Sequence, residues 1–568
     1  MATSSIQERG STSGGQQMIQ QMAHLSMDDP ASTDTVTARR RANALRPISK
    51  LPPELLARIF CAYAALPKFN EAPSAAEFSL KDKVVVSYRR QIGTGWLDVV
   101  QVCHEWRETA FECPALWSSV PFPLDWGQHW ARQFSALSGA MPIDIVVGRE
   151  SHRRGRMGTW VEDFVKAHKF RLRGLAVGFT VSEKKWIQEV VDIDAPVLTH
   201  VDVFYAYSWP GDHAKYIHGG PFSAPELRDL VVFRVSPDLS MASWPNLRNL
   251  QLVDIPFDAS QLQSALATTP LLERLLIRQL RHSYSIPAPS PSSTIHLDHL
   301  ERIDVTGDSD GVMAVWGTLV VPSLAVVRLS FEQPTRDELR IDGREESLTT
   351  ILSATRQHMD RLAYPLPGLS LEVSRDALII AAYPEPEGGT LPFKDDARVI
   401  EVQDKQSSSR PYDFVAVIRA MPMHTCRLLE LSAMIHWFYW ADVLEETAHI
   451  EVLCLSACGP ETTENLAKAA LYSTRKNGPT LFPRLHTLHL YSVFYDSDDP
   501  QPDVVPPALL ALRKWLERRD HCGVRKLRIQ ECSVFAEWVD IFRQIDGLVV
   551  EWDGDVRFCR GPNPSAIP

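Results

Sequence analysis

Cysteine and histidine are the residues of this chain best able to ligate a metal or attack an electrophile, and their spacing decides what chemistry they support. Cys454 and Cys458 lie four apart, but no second pair at zinc-ligand spacing is near them. They read as small buried hydrophobes, the usual place of cysteine in an intracellular chain. Cys103-His104 sets a thiol beside an imidazole, yet the sequence identifies no activating base for a nucleophile there. A phosphate-cradling Gly-x-x-x-x-Gly-Lys-(Ser/Thr) loop, a Gly-x-Gly-x-x-Gly turn, a Gly-x-Ser-x-Gly elbow and a His-Glu-x-x-His helix are all missing. No catalytic residue, cofactor or metal ligand is expected, and the chain is not expected to be an enzyme. The aromatic run His436-Trp437-Phe438-Tyr439-Trp440 would suit a binding hot spot if exposed; burial in a sheet or helix is the favoured reading.

With catalysis set aside, apolar spacing carries the information. Pro52 and Pro53 suit the opening turn of a helix, and Glu54 places a negative charge at its N-terminus. Leu51, Leu55, Leu56, Ile59, Phe60 and Tyr63 then form one apolar stripe before Pro67. A second helix is expected from an Asp98 N-cap through Val99, Val102, Cys103, Trp106 and Ala110, ending at Cys113-Pro114. Two such short helices make too small a core to stand alone, so their stripes must be covered by something.

These two pieces resemble the two ends of an F-box, a short helical module. Leu51, Pro52, Glu54, Leu55, Leu56, Ile59 and Phe60 match its opening Leu-Pro-x-Glu-(Leu/Ile)-(Leu/Val)-x-x-Ile-Phe signature. Val102, Cys103, His104, Trp106 and Arg107 match its closing Val-Cys-(Arg/Lys/His)-x-Trp-Arg element, and Ala110 to Trp117 resembles the ending of fungal members. The resemblance covers about one eighth of the chain. It implies a substrate-recognition subunit of an SCF-type cullin ubiquitin ligase, with a Skp-family adaptor as partner. The adaptor contacts carried over are Leu51, Pro52, Leu55, Leu56, Ile59, Phe60, Val102, Cys103 and Trp106. The span Leu51–Trp117 is longer than such modules usually are, and the excess reads as an inserted loop near 68–95, with a short strand or helix at Val84–Tyr88.

Downstream, one line of sequence recurs. Ala195-Pro196-Val197-Leu198, Ala224-Pro225-Glu226-Leu227, Trp244-Pro245-Asn246-Leu247, Thr269-Pro270-Leu271-Leu272, Asp298-His299-Leu300 and Pro322-Ser323-Leu324 each lead into an alternating apolar stretch. Their common form is Pro-x-Leu-x-x-Leu-x-(Leu/Ile/Val), and its first Leu recurs after 29, 20, 25, 28 and 24 residues. That form is the core of a leucine-rich repeat: a short strand whose apolar positions alternate with period two. Weaker copies begin near Leu172, Leu366, Cys426, Ile450, Phe482 and Val524, and Asp258–Leu266 carries a helix signal between strands. The asparagine that closes the turn in regular repeats is absent, so the units read as degenerate.

The 568 residues allow two or three domains. Residues 1–46 are expected to be a disordered tail, in which Arg39-Arg40-Arg41 reads as a solvated basic patch rather than a nuclear-localisation signal. Residues 47–120 form the F-box-like all-α module, 121–560 an irregular leucine-rich-repeat-like α/β solenoid with a parallel sheet, and 561–568 a short tail. Interruptions at Tyr284–Thr294, Pro384–Asp396 and Tyr495–Pro507 read as surface loops. A net charge of −11 argues against a nucleic-acid partner, and the longest apolar runs, such as Ala377–Tyr383, are too short to span a membrane. The N-terminus lacks a signal peptide, so a cytoplasmic or nuclear location is expected. The partner of the repeat region is expected to be a protein target that the sequence does not identify. The competing reading is a non-catalytic repeat scaffold whose N-terminal helices only cap the array.

Overall fold

The computed structural model describes residues 45–65, 97–147, 160–179, 194–205, 224–237, 244–257, 259–282, 294–307, 309–322, 325–332, 344–360, 368–373, 377–383, 400–405, 423–433, 448–475, 481–493, 502–518 and 523–554, with short pieces at 37–38, 41, 218–219, 239, 419, 421 and 495. The expected disordered tail, the inserted loop with its Val84–Tyr88 element, and the His436–Trp440 run lie essentially outside these residues. The chain is an α/β protein with large parallel sheets and twelve α-helices among the described residues. It divides into two compact units, the first reaching Asp238 with Ala242–Trp244, the second running from Pro245 with Leu239–Met241. None of the described helices is long and apolar enough to cross a membrane.

The first unit begins with four short helices: α1 (Pro53–Ala64), α2 (Val99–Val102), α3 (His104–Phe111) and α4 (Pro114–Ser119). Proline opens α1 and α4, where a missing N–H removes no helical hydrogen bond. The single helix expected from Asp98 to Ala110 is instead broken at Cys103, whose backbone is extended at φ −159° and ψ 173°. Asp98 does not act as a side-chain cap. Three valines in four residues give α2 little propensity to continue. The break strands carbonyls at the end of α2, and Arg107 Nε donates to one of them, Val100 O, at 2.9 Å.

After the helices come strands β1 (Phe122–Pro123), β2 (Ile143–Val147), β3 (Leu172–Phe179), β4 (His200–Tyr205) and β5 (Asp229–Phe233), with α5 (Gln128–Leu137) following β1 and α6 (Trp160–Ala167) following β2. They pair in chain order and all in parallel. Register aligns Ile145, Leu175, Val201 and Leu230 into one buried row. Two residues further along each strand, Val147, Val177, Val203 and Val232 form a second buried row.

In the second unit, β6 (Asn249–Val253), β7 (Arg274–His282), β8 (Arg302–Gly307) and β9 (Val326–Glu332) continue the same parallel logic. Leu250, Leu275, Ile303 and Val327 share a buried row. Helices α7 (Ala259–Ala267), α8 (Ser309–Trp316) and α9 (Arg344–Asp360) lie between or after these strands, and α7 occupies the site of the Asp258–Leu266 helix signal. The parallel order then breaks. β10 (Gly368–Val373), β11 (Ala377–Tyr383) and β12 (Ile400–Lys405) form an antiparallel meander, with β12 beside β9. The apolar run considered above only as too short for a membrane is thus the middle strand. Ile380, Ala381, Ala382 and Tyr383 are buried on both faces, as a covered central strand requires. From β10 the parallel pairing resumes through β13 (Leu428–Ala433), β14 (Val452–Ser456), β15 (Thr487–Tyr491), β16 (Lys526–Gln530) and β17 (Val549–Trp552). Three further helices, α10 (Pro460–Arg475), α11 (Pro507–Leu516) and α12 (Ala536–Arg543), follow β14, β15 and β16.

One backbone device recurs at the strand ends. Arg234, Asp254, Ala457, Ser492 and Glu531 each follow a strand directly and adopt φ between 49° and 57°, the left-handed region non-glycine residues seldom enter. Hydrogen bonds hold the turn: Asp254 N donates to Arg278 O at 2.8 Å, Ala457 N to Tyr491 O at 3.0 Å, and Ser492 N to Gln530 O at 3.0 Å. Next in chain come Cys458 and Cys532. Their thiols donate back to the preceding strand, to Leu431 O at 3.2 Å and Leu490 O at 3.3 Å.

Candidate docking surface

Helix α1 sorts its apolar residues onto two faces rather than one stripe. Leu56, Phe60 and Ala64, spaced by four, are buried, and α1 packs on α3 and α4. Leu55 and Ile59, also spaced by four but turned by about 100° per residue, remain 43% and 45% exposed. Val102, at the end of α2, is 55% exposed. Pro52 is exposed, and Leu51, Cys103 and Trp106 are half-buried. Of the nine predicted contact residues, Leu56 and Phe60 therefore serve the interior. The structure brings Phe60 and Trp106 together, ring centroids 5.1 Å apart, which fastens α1 to α3.

Behind this surface the module is tied down by Trp117 on α4. Its Nε1 donates to Ala110 O at 2.7 Å, and its ring meets Phe111 at 5.8 Å and Phe134 of α5, edge-on, at 5.1 Å. Cys61 and Cys113 approach to 4.0 Å between sulfurs. Burial, and then Cys113, pushes the Cys61 thiol up to about 11, so it is not a thiolate near neutral pH. His104 meets Glu108 at 3.1 Å on the exposed side of α3. The surface thus offers apolar contact flanked by the His104–Glu108 pair.

No family model matches this chain, and no curated protein matches it.

Signature spacing missed Ile48, which is 41% exposed in the 3₁₀ turn Pro47–Lys50 just before α1. Extended backbone at Leu51 and Pro52 separates it from α1, so helical spacing gave no signal for it. Phe111, 42% exposed at the end of α3, carried none either. Elsewhere, Cys454 lies fully buried on β14, where burial raises its thiol well above the ordinary value. Among the described residues no group of three or more His, Cys, Asp or Glu could hold a metal ion.

Proposed function

We propose that this chain is the substrate-recognition subunit of a cullin-based ubiquitin ligase. Helices α1–α4 dock on a Skp-family adaptor, and the strand array binds a protein target. One observation carries the reading: Leu55, Ile59 and Val102 stay exposed while Leu56 and Phe60 already satisfy the module's interior. Large apolar residues left outside a helical module whose own core is filled are characteristic of a surface awaiting a partner. The strand array we read as a leucine-rich-repeat-like solenoid. The aligned leucine rows, the recurrent left-handed turn and the two turn cysteines support that reading, since Cys is the accepted alternative to Asn in that repeat. The chain supplies proximity and orientation, and bond-making belongs to other subunits.

Packing of Trp117 against Phe134 favours a second reading, in which the helices cap the first unit and bind nothing. Affinity capture of the full chain separates the two. The adaptor is recovered with the unaltered chain and lost when Leu51 and Pro52 are both changed to Ala. Recovery undiminished by that pair, or no adaptor at all, supports the cap.

A further inference from the structure

Cys61 of α1 and Cys113, the residue before α4, face each other with their sulfurs 4.0 Å apart. Both are half-buried and so partly open to solvent, whereas Cys426, Cys454, Cys458 and Cys532 are buried. The fold holds the pair from both sides, since α1 packs on α4. Leu56, Phe60 and Ala64 anchor α1, and Leu116 and Trp117 anchor α4. Backbone hydrogen bonds fix both positions. Ala65 N donates to Cys61 O at 3.0 Å, Cys113 N to Ala110 O at 3.3 Å, and Leu116 N to Cys113 O at 3.0 Å. The motion left to the thiols is rotation about their Cα–Cβ bonds, and a disulfide needs the sulfurs to close by only about 2 Å.

Sequence separation makes this contact informative. Two thiols 52 residues apart meet rarely in an unfolded chain, and here folding has already closed that loop. Attack of one sulfur on the other therefore runs at the high effective concentration of a preset geometry. The two thiols are not equivalent. Burial, and then Cys113, holds the Cys61 thiol up at about 11, which makes Cys61 the poor first nucleophile. Proximity offsets that handicap once Cys113 carries a leaving group.

We propose that Cys61 and Cys113 form a reversible disulfide by exchange with a low-molecular-weight disulfide of the glutathione class, locking α1 to α4. The Cys113 thiolate attacks one sulfur of glutathione disulfide, whose S–S bond breaks and releases one glutathione. Cys61 then loses its proton to solvent and attacks Cys113 Sγ, and the bond from that sulfur to the second glutathione breaks. Two electrons pass from the pair to the glutathione disulfide, which leaves as two thiols carrying the two protons. The modification rests on the contact between α1 and α4 and does not depend on the adaptor reading.

Incubation of the folded full chain over a series of glutathione disulfide to glutathione ratios, followed by alkylation and peptide mapping, tests it. One bridged peptide pair joining Cys61 to Cys113 is expected, and dithiothreitol reverses it. The oxidised form melts with the midpoint of the first unit raised by roughly 5–15 °C, because the bridge restricts the unfolded chain. Cys61→Ser leaves Cys113 as a lasting mixed disulfide with glutathione and abolishes the rise, since the second step has lost its thiol. In urea the preference disappears and other cysteines are bridged as well. A folded chain that forms no bridge in excess glutathione disulfide overturns the proposal. So does a bridge that joins either residue to Cys103 or another cysteine instead, or a Cys61–Cys113 bridge that fails to raise the midpoint.

Discussion

Leu55 and Leu56 are adjacent in sequence and have opposite duties. Leu56 is 1% exposed and holds α1 to its neighbours, so Leu56→Ala should destabilise the first unit by about 2–5 kcal/mol in chemical unfolding. Leu55→Ala should leave that stability within about 1 kcal/mol, because much of its side chain already meets solvent. The signature could not separate them, since a Leu-Leu pair satisfies it whichever residue faces inward. The Phe60–Trp106 contact, by contrast, joins two motif ends 46 residues apart that were legible as parts of one module. At the other end of the chain, burial and then Arg528 hold the His489 imidazole down to about 4. That is below the value near 6.5 it takes when unfolded, so its contribution is intact above about pH 6.5 and lost as pH falls toward 4. The linkage is on the order of 3 kcal/mol. The urea midpoint should therefore drop across that window, and His489→Gln should flatten the drop; an equal slope in both proteins would contradict the assignment. His200 runs the opposite way. Its hydrogen bond to Asp229 raises it, so what it adds is present at low pH and lost as pH rises, and exposure keeps that contribution small.

Elements show where alternation in sequence suffices and where it does not. The Leu-x-Leu segments became strands in parallel register because period-two spacing and a preceding turn specify both face and direction. Strand β11 was illegible for the complementary reason: a run buried on both faces has no alternation to read, and nothing local marks its antiparallel direction. The turn after β14 and β16 was hidden by residue type. Asparagine was the expected signal, and cysteine does the bonding instead. Cys532 donates to Leu490 O and accepts from Val493 N, so Cys532→Ala should lower thermal stability by about 1–3 kcal/mol. Cys532→Asn should recover part of that loss. Full stability of the Ala variant would show that the thiol only fills space.

At the scale of the molecule, the division into two compact units predicts two separable unfolding transitions. Leu56→Ala should move only the transition of the first unit, and Cys532→Ala only that of the second; one shared transition moved by both substitutions would contradict the division. Sequence placed a boundary near residue 120, where the helical spacing gives way to alternating stretches. Those helices and the first five strands fall within the first compact unit, where Trp117 meets Phe134. The exposed residues Leu55, Ile59 and Val102 are thus carried on a packed base. The most direct measurement is a titration of the full chain with a purified Skp-family adaptor, comparing the unaltered protein with a Leu55→Asp/Ile59→Asp double variant whose fold is checked by circular dichroism. A folded variant with affinity reduced roughly 100-fold or more is predicted, because two apolar side chains leave the docking face and two charges take their place. Equal affinity in the two proteins, or no binding by the unaltered chain, would contradict it.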